Sequence, residues 1–368
     1  MLRDSLASNG AGRHVEQVEI RFSRPLSARL VVAAWDATVA ATEALRTGFF
    51  PYGPADPGEM EIHAGNLPER WDAWLRADRE RPLLVPGISP WRVSFWPSAG
   101  CIMWTFHHAL LDGRSITRVT RGFLERLAGR QAEPLALARW PEPTPDGLAV
   151  AEVYFRGSFA GLAPMPAEDS GPAADESGPA VRALRADFAD RFDFPGVSVP
   201  AVLTWAWGQA LAEFSGADAV MIEQLRAGAP QPGTAGFTMN TLPVMIHRAA
   251  PRDARASVRE LRALLLAARE FENVAPENFP PGVFPDTNAQ GTSVVMIERG
   301  PFAHLAGNEL AAVLRLHEAP GHALAANAHI QPDLRLQVEG PERRELLNRW
   351  VRALVDFQSA PNITASRS

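Results

Sequence analysis

The chain has 368 residues, long enough for more than one hydrophobic core. It is 46% apolar and 21% charged with a net charge of -6, an ordinary globular balance that lacks the basic footprint of a nucleic-acid-binding protein. Cys101, the single cysteine, excludes disulfide frameworks and thiolate-rich metal or iron-sulfur centres. The absence of lysine excludes Schiff-base, pyridoxal-phosphate-anchoring and Walker A chemistry.

No uninterrupted apolar run reaches the length of a membrane span, and the start MLRDSLASNGAGRHVEQ carries charge where a signal peptide needs an apolar core. A cytoplasmic chain with no membrane partner is expected. Val18, Ile20 and Phe22 alternate with Glu19 and Arg21, which predicts a half-buried strand. Leu30, Ala34, Ala37, Ala41 and Leu45 recur at steps of three and four after Pro25, predicting a helix before Gly48. Trp91 to Trp96 and Cys101 to His107 read as strands. Ser115 is placed to cap a helix striped by Ile116, Val119, Phe123 and Leu127 and ended at Gly129.

Residues 160–180 are rich in Pro, Ala, Ser and acids and lack large apolar side chains, so they read as a linker. Beyond them a helix is expected from about Pro200 to Phe214, closed by Gly216. Strands are expected at Ala219 to Ile222, Thr241 to His247, Ser293 to Glu298, Ala323 to Ile330 and Leu334 to Val338. Two further helices fall at Ala254 to Glu272 and Pro341 to Phe357. Helices and strands mix without strict alternation, which predicts two α+β lobes: residues 1–160, a linker over 161–180, and residues 181–368.

The segment CIMWTFHHALLDGRS concentrates the chemistry. On a regular strand adjacent side chains point apart, so only one of His107 and His108 can act as a reacting base and the other is packed. The loop then turns into a helix, where Gly113 offers backbone freedom. A metal site made of His107, His108 and Asp112 would need both rings on one side, against that alternation, so no metal is expected.

The run His107-His108-Ala109-Leu110-Leu111-Asp112-Gly113 resembles the HHxxxDG motif of the chloramphenicol-acetyltransferase-like acyltransferases, above all the condensation domains of nonribosomal peptide synthetases. TEALRTGFF at 42–50, WRVSFW at 91–96, VLTWAWGQALAEFSGADAVMI at 202–222 and GFTMNTLPVMI at 236–246 resemble further family segments in the same order. The resemblance implies two acetyltransferase-like lobes in a V with a tunnel between them. His108 would be the catalytic base, with His107, Asp112 and Gly113 structural. Asp112 would pair with an arginine, best matched by Arg226, with Arg46 and Arg248 as substitutes. Arg114, Ser115, Asn240 and Thr241 are the tunnel candidates.

The implied activity is that of a free-standing condensation enzyme in natural-product biosynthesis. An amine or alcohol acceptor attacks an acyl or peptidyl thioester, giving an amide or ester. The donor would arrive on the phosphopantetheine arm of a carrier protein, or on CoA, with no cofactor bound. Arg255, Arg259 and Arg262 fall at steps of four and three on one predicted helix and could dock an acidic carrier. Alternatives are an acyl-CoA-dependent O- or N-acyltransferase of the same fold and a non-catalytic recruitment module. Glu223 raises epimerisation, but the glycine- and histidine-containing stretch of epimerisation domains is absent.

Overall fold

A computed structural model of the chain describes residues 14–49, 52–139, 142–158, 179–185, 188, 192, 194–228, 231–274, 278–279, 283, 293–298, 302, 305, 311–318, 324–330 and 333–360. Of the expected linker, residues 161–178 lie outside this set. In chain order the elements are β1 (Val15–Phe22), α1 (Ala28–Ala41), β2 (Thr47–Phe49), β3 (Tyr52–Pro54), β4 (Glu59–Ile62), α2 (Trp71–Glu80), β5 (Trp91–Trp96), β6 (Cys101–His107), α3 (Gly113–Leu127), β7 (Ala136–Leu137) and α4 (Pro145–Ser158). They continue as β8 (Ala180–Ala183), α5 (Val199–Ser215), β9 (Ala219–Arg226), β10 (Thr234–Ala235), β11 (Asn240–His247), α6 (Ala254–Ala267), β12 (Ser293–Glu298), β13 (Ala311–His317), β14 (Leu324–His329), β15 (Arg335–Glu339) and α7 (Arg343–Ser359).

The chain divides into two compact units that are not contiguous in sequence. The first comprises Met1–Trp140, Ala229–Thr238 and Pro301–Gly321; the second takes Pro141–Gly228, Met239–Gly300 and His322–Ser368. This differs from a boundary at 160. The α4 helix belongs to the second unit, because Phe155 is buried in a cluster with Met221, Leu242 and Phe271.

In the first unit a five-stranded sheet runs β13-β1-β6-β5-β4. On one face Val18, Ile20, Val93, Phe95, Trp104 and Phe106 pack under α1 and α3, whose Val31, Trp35, Ile116, Val119 and Phe123 close the core. Trp35 meets Trp91, Trp104 and Phe123 edge-on at ring distances of 5.4 to 5.6 Å, the geometry that aromatic quadrupoles favour. The opposite face is covered as well. Helix α2 lays Leu75, with Trp71 and Trp74 beside it, on Trp96, Cys101 and Met103.

Covering both faces corrects the expectation of a half-buried β1. Its Glu16, Gln17 and Glu19 are all buried, so their polar atoms need partners inside the protein. Asp78 of α2 supplies one set: its carboxylate accepts from Arg92 Nε at 2.8 Å, Gln17 Nε2 at 2.9 Å and Thr105 Oγ1 at 2.6 Å. Glu19 takes His317 Nε2 of β13 at 2.7 Å and also pairs with Arg21. Burial pushes the Glu19 carboxyl up, but the hydrogen bonds from His317 and Arg21 outweigh it and hold the group at about 2.

The second unit holds a six-stranded sheet in the order β11-β9-β12-β14-β15-β8, with β12 parallel to both its neighbours. Helix α5 is buried on nearly every side and ends at Gly216, which takes the left-handed conformation at φ 70°. Gly208 sits where any Cβ would collide with Ile246 of β11, so the helix and strand approach through its missing side chain. Trp207 Nε1 donates to Ser293 Oγ at 2.9 Å and Trp350 Nε1 of α7 donates to the Leu203 carbonyl at 3.1 Å. The helix expected to run to Glu272 stops at Ala267 and continues as a 3₁₀ turn through Phe271.

Two outcomes follow from the polar layer on β1. Asp78→Ala leaves the Arg92 guanidinium buried without its counter-charge and is expected to destabilise by about 3–5 kcal/mol in urea unfolding. Glu19 has a folded pKa below its unfolded value of 4.5, so its contribution is full above pH 4.5 and is lost as pH falls towards 2. Wild type should therefore lose about 3 kcal/mol more than Glu19→Gln over that acid window, read from unfolding midpoints at each pH.

Candidate active site

Strand β6 ends at His107, whose amide still bonds the Pro90 carbonyl at 3.0 Å. The next amide, of His108, reaches the His14 carbonyl at 2.7 Å. The chain then turns through a 3₁₀ turn at His108–Leu110 and enters α3. The two rings meet different surroundings. His107 is 1% exposed, its Nδ1 accepts from the Ala109 amide at 3.2 Å, and the Phe49 ring stands edge-on at 5.8 Å. Burial, helped by the neighbouring His14 and His108, drops its pKa to about 3. A pKa that low keeps the His107 ring neutral near pH 7.

The His108 side chain keeps 16% of its surface exposed. Its Nδ1 lies 3.0 Å from the Leu111 carbonyl oxygen. A carbonyl only accepts, so Nδ1 carries the hydrogen and Nε2 keeps the basic lone pair. Glu16 Oε1 of β1 lies 3.2 Å from the same Nδ1, and the Phe237 ring stands edge-on at 5.5 Å. Glu16 escaped sequence reasoning. Its signal was a carboxylate in phase with Val18 and Ile20, on the side of β1 that otherwise faces the apolar core.

Asp112 is 1% exposed and is itself the cap of α3. Its Oδ1 accepts from the Ser115 amide at 2.8 Å, while its Oδ2 accepts from Thr238 N at 3.1 Å and Thr238 Oγ1 at 2.8 Å. This corrects the reading of Ser115 as the cap: it lies three residues further on, its amide being what the cap satisfies. Ser115 is buried and its Oγ accepts from the Gly236 amide at 3.0 Å, so it holds backbone. Arg118 donates to the Gln231 and Thr234 carbonyls from the next turn. Residues 231–238 are thereby stapled to the head of α3, which sets Phe237 beside His108. Gly113 opens the helix outside the positive-φ region, so no special backbone freedom is used there.

Asp112 and Arg226, expected to pair, belong to different units, and each has partners within its own. Arg226 pairs with Glu272 at 3.1 Å and donates to Gln224 Oε1 at 2.9 Å and the Leu265 carbonyl at 2.6 Å. Asn240 is likewise engaged, its Nδ2 donating to the carbonyls of Glu272 and Val274 at 3.1 and 2.8 Å. Thr241 is half-buried on β11 and Arg114 is exposed on the first turn of α3. The shared arginine face expected on α6 also fails. Arg255 is buried with its guanidinium 3.9 Å from the Phe194 ring, whereas Arg259 is exposed and Arg262 half-buried. Among the described residues no cluster of His, Cys, Asp and Glu could hold a metal ion, and no helix is long and apolar enough to cross a membrane.

No family model matches the chain. It is 23% identical over 315 residues to a linear gramicidin synthase polypeptide of Brevibacillus parabrevis and 22% identical over 313 residues to Cyclochlorotine synthetase of Talaromyces islandicus. Each match covers 74% of this chain but only 4% and 5% of the relative, so the chain spans a small part of their length. Among solved structures, the first condensation domain of the calcium-dependent antibiotic synthetase, in complex with a substrate analogue, matches with a TM-score of 0.71 at 17% identity, covering 100% of this chain and 96% of that one. A variant of the starter condensation domain of rhizomide synthetase, in complex with C8-CoA and Leu-SNAC, matches with a TM-score of 0.75 at 13% identity, covering 97% and 91%. The relatives are synthetases and the structural neighbours are condensation domains, in agreement with the motif resemblance. The chain has the condensation-domain fold, an α+β architecture of the chloramphenicol-acetyltransferase type.

Asp112→Ala removes the cap and strands two buried Thr238 donors, so a loss of about 2–4 kcal/mol is expected in urea unfolding. Thr238→Val removes only the hydroxyl contact and should cost about 1 kcal/mol in the same measurement. Equal costs for the two would mean that the Asp112 contacts to the Ser115 and Thr238 amides contribute nothing.

Proposed function

We propose that the chain is a condensation-type acyltransferase in which His108 takes the proton of an amine or hydroxyl acceptor as that group attacks an acyl thioester. The observation that carries this reading is the His108 ring itself: 16% exposed, with its Nδ1 3.0 Å from the Leu111 carbonyl oxygen, which puts the hydrogen on Nδ1 and the basic lone pair on Nε2. The fully buried, neutral His107 beside it is suited to support and not to proton transfer.

The acceptor N–H or O–H donates to Nε2 while its heteroatom attacks the thioester carbonyl. The tetrahedral intermediate then collapses, the C–S bond breaks, and the departing thiolate takes the proton from the His108 imidazolium, which returns the ring to neutral. The product is an amide or an ester plus the free thiol. No bond to the protein forms at any stage, and no oxidant or metal is needed. In this reading Asp112, Ser115 and Thr238 hold the turn that carries His108, and Arg226 and Asn240 brace the second unit.

The donor we propose is an acyl or peptidyl group on the phosphopantetheine arm of a carrier protein, with a small-molecule amine or alcohol as acceptor and the chain acting as one condensation unit in natural-product assembly. Acyl-CoA is the second reading, favoured by a neighbour whose structure holds C8-CoA. With Arg255 buried, carrier docking through α6 is reduced to Arg259 and Arg262. The compartment we propose is the cytoplasm.

The purified chain should be offered acyl groups on a carrier protein, on CoA and on N-acetylcysteamine, each with a panel of amines and alcohols, and the products read by mass spectrometry. His108→Ala is expected to lower turnover by about 100- to 10,000-fold with an unchanged melting curve. The same product at the same rate in His108→Ala would overturn the catalytic role of His108, whereas no product from any donor with the wild-type chain would favour the recruitment module.

A further inference from the structure

We propose that Glu16 is a positioning residue for His108, holding its Nδ1–H tautomer and countering the charge that the ring acquires when it accepts a proton. Glu16 Oε1 lies 3.2 Å from His108 Nδ1, and the Leu111 carbonyl oxygen lies 3.0 Å from it, so one N–H sits between two acceptors. A carbonyl alone would suffice to select the tautomer. The carboxylate adds a fixed negative charge, which stabilises imidazolium over imidazole.

The placement follows from the fold. Glu16 sits opposite Phe106 across the β1–β6 ladder, next to the Val15–His107 pair where the ladder ends. It is 5% exposed, and an acid buried among Val18, Ile20 and Phe106 raises the folding cost of that position unless it meets a donor. His108 provides that donor at the point where the chain leaves β6. The other titratable groups around the ring do not take its place. His107 is neutral, and the carboxylate of Asp112 is occupied by Ser115 and Thr238. His14, on the β1 side, contacts His108 through its backbone carbonyl, and Phe237 brings an uncharged ring.

The consequence for rate rests on the acyl-transfer reading, but the proton state of His108 can be measured without substrate. The full-length chain with isotope-labelled histidine, assigned through a His108 variant, should show the Nδ1–H tautomer by nuclear magnetic resonance. In Glu16→Gln the ring should titrate about one pH unit lower, with Glu16→Asp restoring part of the shift. The acid limb of kcat/KM should move down by the same amount, and the maximal rate should fall by at least about tenfold.

An unshifted titration in Glu16→Gln, or an Nε2–H tautomer in the wild-type protein, would overturn the assignment. The second of these outcomes is read on the wild-type protein and needs no variant to fold. A shifted titration in a protein that condenses no donor would sustain the Glu16 role and remove the acyl-transfer reading instead.

Discussion

The carboxylate of Asp112 serves three donors at once. One oxygen closes the first turn of α3 through the Ser115 amide, and the other receives both the amide and the hydroxyl of Thr238. Because Thr238 comes from a stretch far along the chain, this single buried group joins the end of the histidine turn to residues 231–238. The Asp112 amide also donates to the Gly236 carbonyl at 3.0 Å, so the join has backbone on both sides. The position of Phe237 against His108, and with it the surface that the ring presents, depends on that join. A charged group with almost no exposed surface is costly to keep, and here its negative charge faces the positive end of a helix dipole.

A second constraint acts through β1. Its residues alternate between an aromatic face and a polar face, and both are buried. Sliding the strand by one residue would send Gln17 and Glu19 into the cluster around Trp104 and Ile102, and would carry Val18 and Ile20 to Asp78. The buried polar contacts therefore fix register more than they add net stability. Fixed register in turn sets Glu16 opposite Phe106, within reach of the His108 turn.

Much of this was legible in the sequence where the signal is local. Strands at Trp91–Trp96, Cys101–His107 and Ser293–Glu298 have the expected bounds, and α5 ends where Gly216 said it would. The motif led to the fold because its residues sit together in the chain. What escaped depends on partners distant in sequence. Arg226 was matched to Asp112 by order along the chain, but Glu272 meets it across α6 and its 3₁₀ extension. Arg255 has the periodicity of an exposed face, yet Phe194 from outside the helix covers it. Ala311–His317 offers a short apolar run from Ala311 to Leu314 interrupted by Arg315, too little alternation to announce a strand, and becomes one because β1 has an edge to fill. Glu16 looked like an ordinary charged residue at a strand's start; only pairing with β6 gives it a ring to meet.

Strand β13 closes the outer edge of the first unit's sheet, yet almost the whole chain separates it from β1. During synthesis the amino-terminal sheet emerges with β6, β5 and β4 in place and one flank of β1 bare. Glu19 waits for His317 throughout that interval. Closing this loop costs chain entropy that local contacts cannot offset, and exposed strand edges are sites of intermolecular pairing. The unit that carries the histidine turn is therefore finished only after most of its neighbour has been made, and just before β14, β15 and α7 complete that neighbour.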